Sequence, residues 1–297
     1  MSDMKGKICM VTGANAGIGK QTALELAKMG ATVVLVCRNR ARGEAAQAEI
    51  RQVSGNDQVD LLLADLSSQQ SIHELAKTFK EKYDRLHVLV NNAGAWFQNR
   101  QLSVDGIEMT FALNHLGYFL LTHLLLDVLV VSAPSRIVNV SSGAHHNGRI
   151  HFEDLQFEKR YRGFAAYSQS KLANILFTYE LARRLEAHGI QGVTVNCLHP
   201  GFVASNFGRN NGLLAKVALT FLRPIAVDVR KGAETSVYLA SSPEVEGVTG
   251  KYFDKKKAVR SSAISYDEEV ARRLWEISEE MTGVKTESLL AEISEAG

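Results

Sequence analysis

The segment AAYSQSKLAN, residues 165–174, places a tyrosine and a lysine four positions apart, at Tyr167 and Lys171. Residues with this spacing share one face of a helix, so the phenol and the ammonium can face the same site. A phenol has a reference pKa of about 10 and is a poor base near neutral pH, but a neighbouring cation favours the phenolate. The pair could therefore exchange a proton with an alcohol or a carbonyl compound. A core tyrosine beside a lysine that extends to solvent would show the same spacing without any chemistry.

Further polar side chains follow predicted strands or interrupt apolar segments. Ser141 and Ser142 end the strand in VNVSSGAHH, and Asn114 is a lone amide in the apolar segment FALNHLGYF. Hydride transfer to a carbonyl produces an alkoxide that must gain a proton, and the reverse reaction needs a base. A serine hydroxyl can hold the substrate oxygen beside the phenol, and an asparagine near the lysine can relay protons through water. These residue types together indicate carbonyl reduction or alcohol oxidation.

The elements that must position these groups alternate along the chain. Short apolar runs rich in β-branched residues are predicted as strands over 7–14, 31–38, 58–66, 86–94, 135–142 and 192–201. Longer segments are predicted as helices over 17–30, 41–53, 68–83, 104–131 and around Tyr167. Nearly continuous apolar strands joined by helices imply parallel strands that are buried on both faces. The predicted fold class is therefore α/β, a Rossmann-type doubly wound parallel sheet flanked by helices. Residues 1–297 are predicted to form a single dinucleotide-binding and catalytic domain, with a small substrate cap at about 202–230 and a C-terminal helical extension at about 265–297.

The first strand is followed by a glycine-rich turn, TGANAGIG. Gly13 lets the chain turn sharply, and Gly17 and Gly19 let the start of the next helix approach a pyrophosphate. Asn15 and Ile18 lie in the same turn. A glycine cluster at the first strand-to-helix connection of an α/β chain predicts dinucleotide binding.

The end of the second strand distinguishes the two nicotinamide dinucleotides. An acidic residue there would bind the ribose 2′-hydroxyl of NAD(H), but this chain has Arg38, whose guanidinium suits the 2′-phosphate of NADP(H). NADP(H) is therefore predicted over NAD(H), with Arg40 and Arg42 interpreted as a solvated helix start. Asp65, which precedes Leu66 after the third strand, could accept a hydrogen bond from adenine or cap the next helix. After the fourth strand, Asn92, Ala93 and Gly94 would allow the backbone to lie against the adenosine ribose.

Composition excludes several other classes of function. The chain has 297 residues and a net charge of +2, which does not indicate a nucleic-acid partner. Its three cysteines lie in apolar runs and are interpreted as buried thiols in a reducing, cytoplasmic compartment. Neither a signal peptide nor a membrane-spanning segment is predicted. His145, His146 and His151 lack acidic or cysteine partners at ligand spacing, so no metal site is predicted, and they are interpreted as a wall of the substrate site or a solvated loop.

The ordered motifs TGxxxGxG, NNAG, a lone asparagine, a serine and YxxxK resemble those of the short-chain dehydrogenase/reductase family, over residues 5 to about 255. The resemblance implies Tyr167 as general acid/base, Lys171 as its electrostatic partner and ribose clamp, and Ser142 as the anchor of the substrate oxygen. It also implies that Asn114 organises a water relay. The segment HPGFVAS is then expected to lie against the nicotinamide, which adds the cofactor-binding residues Pro200, Gly201, Val203 and Ser205.

Within the family, RIVNVSSGAHHNGRIHFEDL and YSQSKLANILFTYELARRL resemble the retinol dehydrogenase-like branch. That branch commonly uses NADP(H) on lipophilic aldehydes and alcohols, so a small lipophilic substrate is expected. Reduction of another hydrophobic substrate, such as a steroid or a tetrapyrrole, and NADP(H) binding without turnover are the alternatives. Apolar side chains in the cap could line a pocket or pack over the core, and the cap could touch a membrane surface. Members of the family often form homo-oligomers through their two long central helices.

Overall fold

A computed structural model describes residues 3–201 and 228–296, in which one eight-stranded sheet has the order β3-β2-β1-β4-β5-β6-β7-β8. The predicted sites at Val203 and Ser205, and nearly all of the predicted cap, lie outside these residues. Strands β1 to β7 are parallel, and β8 pairs antiparallel with β7. The strands are β1 (Ile8–Thr12), β2 (Thr32–Cys37), β3 (Val59–Leu63), β4 (Val88–Asn91), β5 (Ser135–Val140), β6 (Val193–His199), β7 (Lys251–Asp254) and β8 (Lys257–Val259).

Helices cover both faces of this sheet, as the predicted fold class requires. They are α1 (Gly17–Lys28), α2 (Arg40–Ser54), α3 (Gln69–Lys82), α4 (Met109–Phe111), α5 (Gly117–Leu124), α6 (Leu126–Val131), α7 (Gly163–Ala187), α8 (Val229–Ser241), α9 (Glu268–Thr282) and α10 (Thr286–Ala296). One buried apolar cluster lies on the side of α3, α5, α7 and α9, and a second lies on the side of α1, α2 and α8. The doubly wound, Rossmann-type architecture is confirmed. Among these described helices, none is long and apolar enough to cross a lipid bilayer.

The single helix predicted over 104–131 is wrong in its boundaries and its continuity. The helical structure begins at Met109, because the buried Glu108 carboxylate accepts hydrogen bonds from the backbone N–H groups of Thr110 (2.9 Å) and Phe111 (2.8 Å). A π-helical segment, Ala112–Leu116, then separates α4 from α5. A second break at Leu125 separates α5 from α6. π-Helical turns are uncommon and often occur at functional sites, and this one contains Asn114.

Helix α9, which lies within the predicted C-terminal helical extension, packs against α7. Trp275 is buried and its ring stacks on Phe177 of α7 at a centroid distance of 5.6 Å. The indole N–H donates to Thr286 Oγ1 (2.9 Å), and the Arg184 guanidinium lies 4.6 Å from the indole centroid. Helix α9 therefore covers part of one central helix, and oligomerisation through that face would require its displacement.

Two histidines are buried uncharged beneath α9. His115 Nε2 lies 2.9 Å from Ser278 Oγ, and His123 Nε2 lies 2.9 Å from Thr286 Oγ1. Removal from water lowers the pKa of His115 to about 3 and that of His123 to about 4. Because the unfolded chain binds protons at these histidines near pH 6.5, acid favours unfolding.

We expect the free energy of unfolding to be fully developed above about pH 6.5 and to fall as the pH drops towards 4, by up to about 1.4 kcal/mol per pH unit for each histidine. Urea denaturation of the whole chain at pH 7, 6 and 5 measures this slope. His123→Gln should reduce the slope by up to about 1.4 kcal/mol per pH unit, the contribution of one proton. His73→Gln, at an exposed position on α3, should leave the slope unchanged. An unaltered slope in His123→Gln would contradict the buried neutral state.

Candidate active site

The catalytic residues predicted from the sequence meet at the carboxyl edge of the sheet. Ser142 follows β5, and Tyr167 and Lys171 lie one turn apart near the start of α7. The Ser142 side chain lies near enough to the Tyr167 hydroxyl to lower the pKa of the phenol. The Lys171 ammonium lies 5.8 Å from the tyrosine ring centroid. The phenol, the serine hydroxyl and the ammonium therefore converge on one side of the sheet edge.

The two adjacent serines have different surroundings. Ser141 is buried, and its hydroxyl donates to the Lys171 backbone carbonyl at 2.7 Å, which ties β5 to α7. Ser142 is partly exposed, and its Oγ accepts from the backbone N–H of Ala144 at 3.2 Å. Only the second hydroxyl contacts Tyr167 among the interactions of these two serines. The geometry accordingly favours Ser142 as the substrate anchor and gives Ser141 a structural contact.

Burial governs the protonation of the tyrosine and the lysine. It raises the pKa of Tyr167 to about 12, while the hydrogen bond with Ser142 acts in the opposite direction. This differs from the expectation that Lys171 makes the phenol more acidic, because the desolvation of the ring outweighs the contributions of the neighbouring protein groups. Burial also lowers the pKa of Lys171 to about 7, so this side chain changes charge near neutral pH. Its ammonium donates to the Val140 carbonyl at 2.9 Å.

Asn114 is buried in the π-helical segment and lies beside the same lysine. Its amide group donates to the Ala95 carbonyl (2.9 Å) and to Ser170 Oγ (3.0 Å), and its Oδ1 accepts from the Ala95 N–H (2.9 Å). A Cβ atom added at Gly94 would lie 3.2 Å from Asn114 Oδ1 and 3.4 Å from Lys171 Nζ. Gly94 therefore leaves the approach to both side chains open.

The glycine-rich turn packs directly against the segment that follows β4. A Cβ at Gly19 would lie 2.4 Å from the Asn92 side-chain nitrogen, and one at Gly13 would lie 2.9 Å from the Ala93 Cα. The Asn92 side chain donates to the Thr12 carbonyl at 2.7 Å, so it holds the two turns together. Gly13 also has a positive φ of 66°, which favours glycine.

The start of α1 can accept an anion. In the described structure no side chain caps this helix, and its first turn contains no acidic residue. Gly17 and Ile18 are partly exposed there, as is Asn15 just before the helix. Uncapped N–H groups and the helix dipole favour a negatively charged group. These residues fit the pyrophosphate of a dinucleotide.

Arg38 and Asp65 lie side by side at the ends of β2 and β3. The Arg38 side chain is 67% exposed, and its Nη1 lies 3.5 Å from Asp65 Oδ2. Burial opposes the ionisation of Asp65, but hydrogen bonds from Ser67 and the Arg38 charge outweigh it and hold the pKa of the carboxyl below its ordinary value. Asp65 Oδ1 accepts from the Ser67 hydroxyl at 2.6 Å, and Ser68 caps α3. Asp65 thus stabilises the turn before α3, and the helix is capped by Ser68 and not by Asp65.

The structure gives the burial and the position of three further predicted cofactor residues. Leu66 is buried, and its carbonyl would contact a Cβ at Gly117 at 2.6 Å. Pro200 and Gly201 directly follow β6 and are both partly exposed, at the same sheet edge as Ser142. Among the described residues, no group of three or more histidine, cysteine or acidic side chains could hold a metal ion.

Comparison with known proteins agrees with this geometry. A family model described as short chain dehydrogenase matches residues 7–213. The chain is 47% identical to human retinol dehydrogenase 12 over 96% of its own length and 89% of that protein, and 47% identical to human retinol dehydrogenase 13 over 96% and 87%. The chain belongs to the short-chain dehydrogenase/reductase family. It is similar to the retinol dehydrogenase-like branch of that family, and it is an oxidoreductase that acts on CH–OH groups.

Similar solved structures support the fold. An uncharacterised protein from Mycobacterium paratuberculosis shares 34% identity and a TM-score of 0.78, with 96% of each chain covered. A complex of Pseudomonas aeruginosa RhlG with NADP shares 27% identity and a TM-score of 0.67, over 84% of this chain and 95% of that one.

Sequence reasoning missed the role of two histidines in this short-chain dehydrogenase/reductase. His145 is buried and contacts the Ser142 backbone carbonyl, and His199 accepts from the Gly143 N–H. His146 and His151 are exposed, so the description as a solvated loop suits those two alone. A histidine three residues after the predicted catalytic serine is the signal that could have indicated the buried contact.

Proposed function

We propose that this chain is an NADP(H)-dependent oxidoreductase that interconverts a lipophilic aldehyde or ketone, such as retinaldehyde, and its alcohol. The observation that carries the proposal is that the Ser142 side chain lies beside the Tyr167 hydroxyl, on the helix face that also holds Lys171. This arrangement supplies a hydrogen-bond donor and a proton donor to one carbonyl oxygen. The names of the retinol dehydrogenase relatives support the class of substrate.

Each catalytic side chain has a defined part in the proposed reaction. The Ser142 hydroxyl donates to the substrate oxygen and orients it towards the phenol. The Tyr167 hydroxyl donates its proton as charge develops on that oxygen, or accepts the proton of an alcohol in the reverse direction. A bound nicotinamide dinucleotide supplies or accepts the hydride.

Lys171 and Asn114 complete the proposed proton path. The Lys171 ammonium stabilises negative charge on the phenol, and in its cationic form it favours deprotonation of Tyr167. Asn114 contacts the Ala95 backbone and Ser170 beside this lysine, so it can hold a water molecule for proton exchange with solvent. In this proposal, neither Lys171 nor Asn114 contacts the substrate directly.

The proposed cofactor site follows the carboxyl ends of β1, β2 and β4. Backbone N–H groups at Gly17, Ile18 and Gly19 would hold the pyrophosphate, and Ala93 and Gly94 would contact the adenosine ribose. Arg38 would bind the 2′-phosphate, because its guanidinium is exposed at the end of β2. Incubation with NADPH that carries deuterium at the transferable position tests the reaction, since the proposal predicts deuterium in the alcohol product by mass spectrometry.

Arg38→Ala is expected to raise KM for NADPH by roughly 10- to 100-fold. This range corresponds to the free energy of a charge-assisted hydrogen bond to phosphate. KM for NADH should change by less than about twofold, since NADH has no 2′-phosphate. Arg40→Ala is the matched control, because Arg40 is 71% exposed and its Nη1 lies 3.5 Å from Glu44 of the same helix. Equal losses with both cofactors would show that Arg38 does not read the 2′-phosphate.

The proposal places the protein in the cytoplasm. Cys9, Cys37 and Cys197 are free and buried, and burial raises the pKa of each thiol to about 11 or 12. Such thiols are protonated and unreactive, as expected of structural cysteines in a reducing compartment.

A further inference from the structure

The peptide unit between Ser142 and Gly143 is hydrogen bonded at both of its ends to imidazole rings. The Ser142 carbonyl lies 2.7 Å from His145 Nδ1, and the Gly143 N–H donates to His199 Nδ1 at 3.0 Å. We call these two rings and the peptide between them the imidazole clamp. It lies directly beside the hydroxyl that contacts Tyr167.

The hydrogen-bond partners require opposite tautomers of the two rings. His145 Nδ1 faces a carbonyl oxygen and so carries hydrogen, while its Nε2 accepts from the backbone N–H of Ser262 at 3.1 Å. His199 Nδ1 faces an N–H donor and so carries no hydrogen, which leaves its proton on Nε2. Both rings are therefore neutral in the clamp, and a second proton on either ring would oppose an N–H donor.

Close packing restricts movement of the clamped peptide. A Cβ at Gly143 would lie 3.4 Å from His199 Nε2, so the ring lies against this glycine. The His145 ring lies 4.0 Å from the His146 ring and 4.9 Å from the Tyr252 ring, between centroids. Ser142 adopts an extended conformation, with φ −160° and ψ 154°, and starts a short 3₁₀ helix. The direction of its Cβ–Oγ bond is thus coupled to the orientation of the clamped peptide.

We propose that His145 and His199 are positioning residues that hold the Ser142 hydroxyl in line with Tyr167, and that protonation of His199 at Nδ1 releases it. The inference rests on the proposed function of Ser142. It adds two residues from outside the predicted catalytic set, and it makes the position of the serine depend on pH.

The charges around the two rings set the pH range of this release. Burial lowers the pKa of His145 to about 4, with further lowering from His146 and His199, while the Ser142 carbonyl opposes it. Burial likewise lowers the pKa of His199, where His146 and Lys255 add to the effect and Asp254 opposes it. Because the pKa of His199 is lowered, the clamp is closed at neutral pH and opens as the pH falls. A second proton on His145 opposes the Ser262 N–H and leaves the bond to the Ser142 carbonyl in place.

Variants of His145 can separate positioning of the serine from tethering of the C-terminal segment. In His145→Asn, the amide nitrogen replaces Nδ1 and can donate to the Ser142 carbonyl, but the contact with Ser262 is lost. In His145→Gln, the amide oxygen replaces Nε2 and can accept from Ser262, but the contact with Ser142 is lost. The proposal predicts kcat within about threefold of wild type for the first variant and a loss of at least tenfold for the second, with an unchanged KM for NADPH, because small misplacements of reacting groups are costly. The reverse order would overturn it.

Variants of His199 test the pH dependence. In His199→Asn, the amide oxygen can accept from Gly143 without titrating, so kcat should remain near wild type and fall less as the medium is acidified. In His199→Leu, kcat should fall by roughly tenfold or more. Equal pH profiles for wild type and His199→Asn would overturn the pH-dependent release.

The tautomers give a readout that does not depend on activity. Nitrogen-15 NMR of the labelled imidazoles in the full-length chain should show hydrogen on Nδ1 of His145 and on Nε2 of His199. Hydrogen on Nε2 of both rings would overturn the clamp, even in a fully active enzyme. Should the wild-type protein reduce no carbonyl compound, the proposed function fails, while the tautomers still decide the structure of the clamp.

Discussion

Tyr167→Phe is expected to lower kcat by roughly two to four orders of magnitude, the usual contribution of general acid–base catalysis. The tyrosine ring is 8% exposed, so phenylalanine fills the same space and removes only the hydroxyl that contacts Ser142. The glycine-rich turn and Arg38 are unaffected, and the Kd for NADPH should therefore stay within about twofold of wild type. Steady-state kinetics with a reducible aldehyde, and a separate titration of NADPH by fluorescence, measure the two quantities.

Tyr83→Phe is the matched control for this substitution. It also removes a phenol hydroxyl, but one that donates to Asp60 where α3 ends, far along the chain from the predicted catalytic residues. Its kcat should equal that of wild type. If Tyr167→Phe retained kcat within tenfold, or lost NADPH binding, the assignment of Tyr167 as the general acid/base would be incorrect.

Trp275→Ala is expected to destabilise the protein by about 3–5 kcal/mol, which is the usual cost of removing a buried tryptophan. The indole is 2% exposed, stacks on Phe177 and donates to Thr286 Oγ1. Its loss creates a cavity between α7 and α9 and leaves the Thr286 hydroxyl without this donor. For a chain of this length, the melting temperature should fall by roughly 5–8 °C, as measured by differential scanning calorimetry.

Trp275→Phe separates the ring packing from the hydrogen bond. Phenylalanine retains the contact with Phe177 and loses the N–H group, so the expected cost is about 1–2 kcal/mol. A change below 1 kcal/mol in Trp275→Ala would show that α9 does not pack on α7 as described.

Because α9 covers this part of α7, we expect Trp275→Ala also to self-associate more readily than wild type, which sedimentation velocity would detect.

Strands β1 to β6 could be predicted because they are short apolar runs that helices bury on both faces. Strand β7 and the exposed, antiparallel β8 were not predicted. The boundaries of the segment 104–131 could not be predicted, because an unusual cap and a contact with another segment decide them. The Glu108 carboxylate caps α4 from the position before it, and the interruption at Asn114 coincides with its hydrogen bonds to Ala95 on another segment. Glutamate is not among the usual N-cap residues, and Ala95 is nineteen residues from Asn114, too far to appear in a helical periodicity.

The catalytic set could be proposed from motif order, since each residue follows a strand or shares a helix face. The choice between Ser141 and Ser142 came from a family resemblance, and the structure adds a physical distinction, because only one of the two hydroxyls is committed to the Lys171 carbonyl. The pKa of Tyr167 could not be predicted, because it depends on how completely packing removes the ring from water. The contacts of His199 with Gly143 and of His145 with Ser262 were missed for a related reason, since they join segments more than fifty residues apart.

The most direct test of the proposed function is the dependence of kcat/KM on substrate chain length, measured for a series of unbranched aldehydes and for retinaldehyde, with NADPH and NADH in parallel. The proposal predicts that kcat/KM rises with length, by up to about threefold to fourfold for each methylene that becomes buried. It also predicts a preference for NADPH that Arg38→Ala removes. NADPH binding without oxidation by any carbonyl compound would contradict the proposed activity and favour a protein that binds the cofactor without turnover.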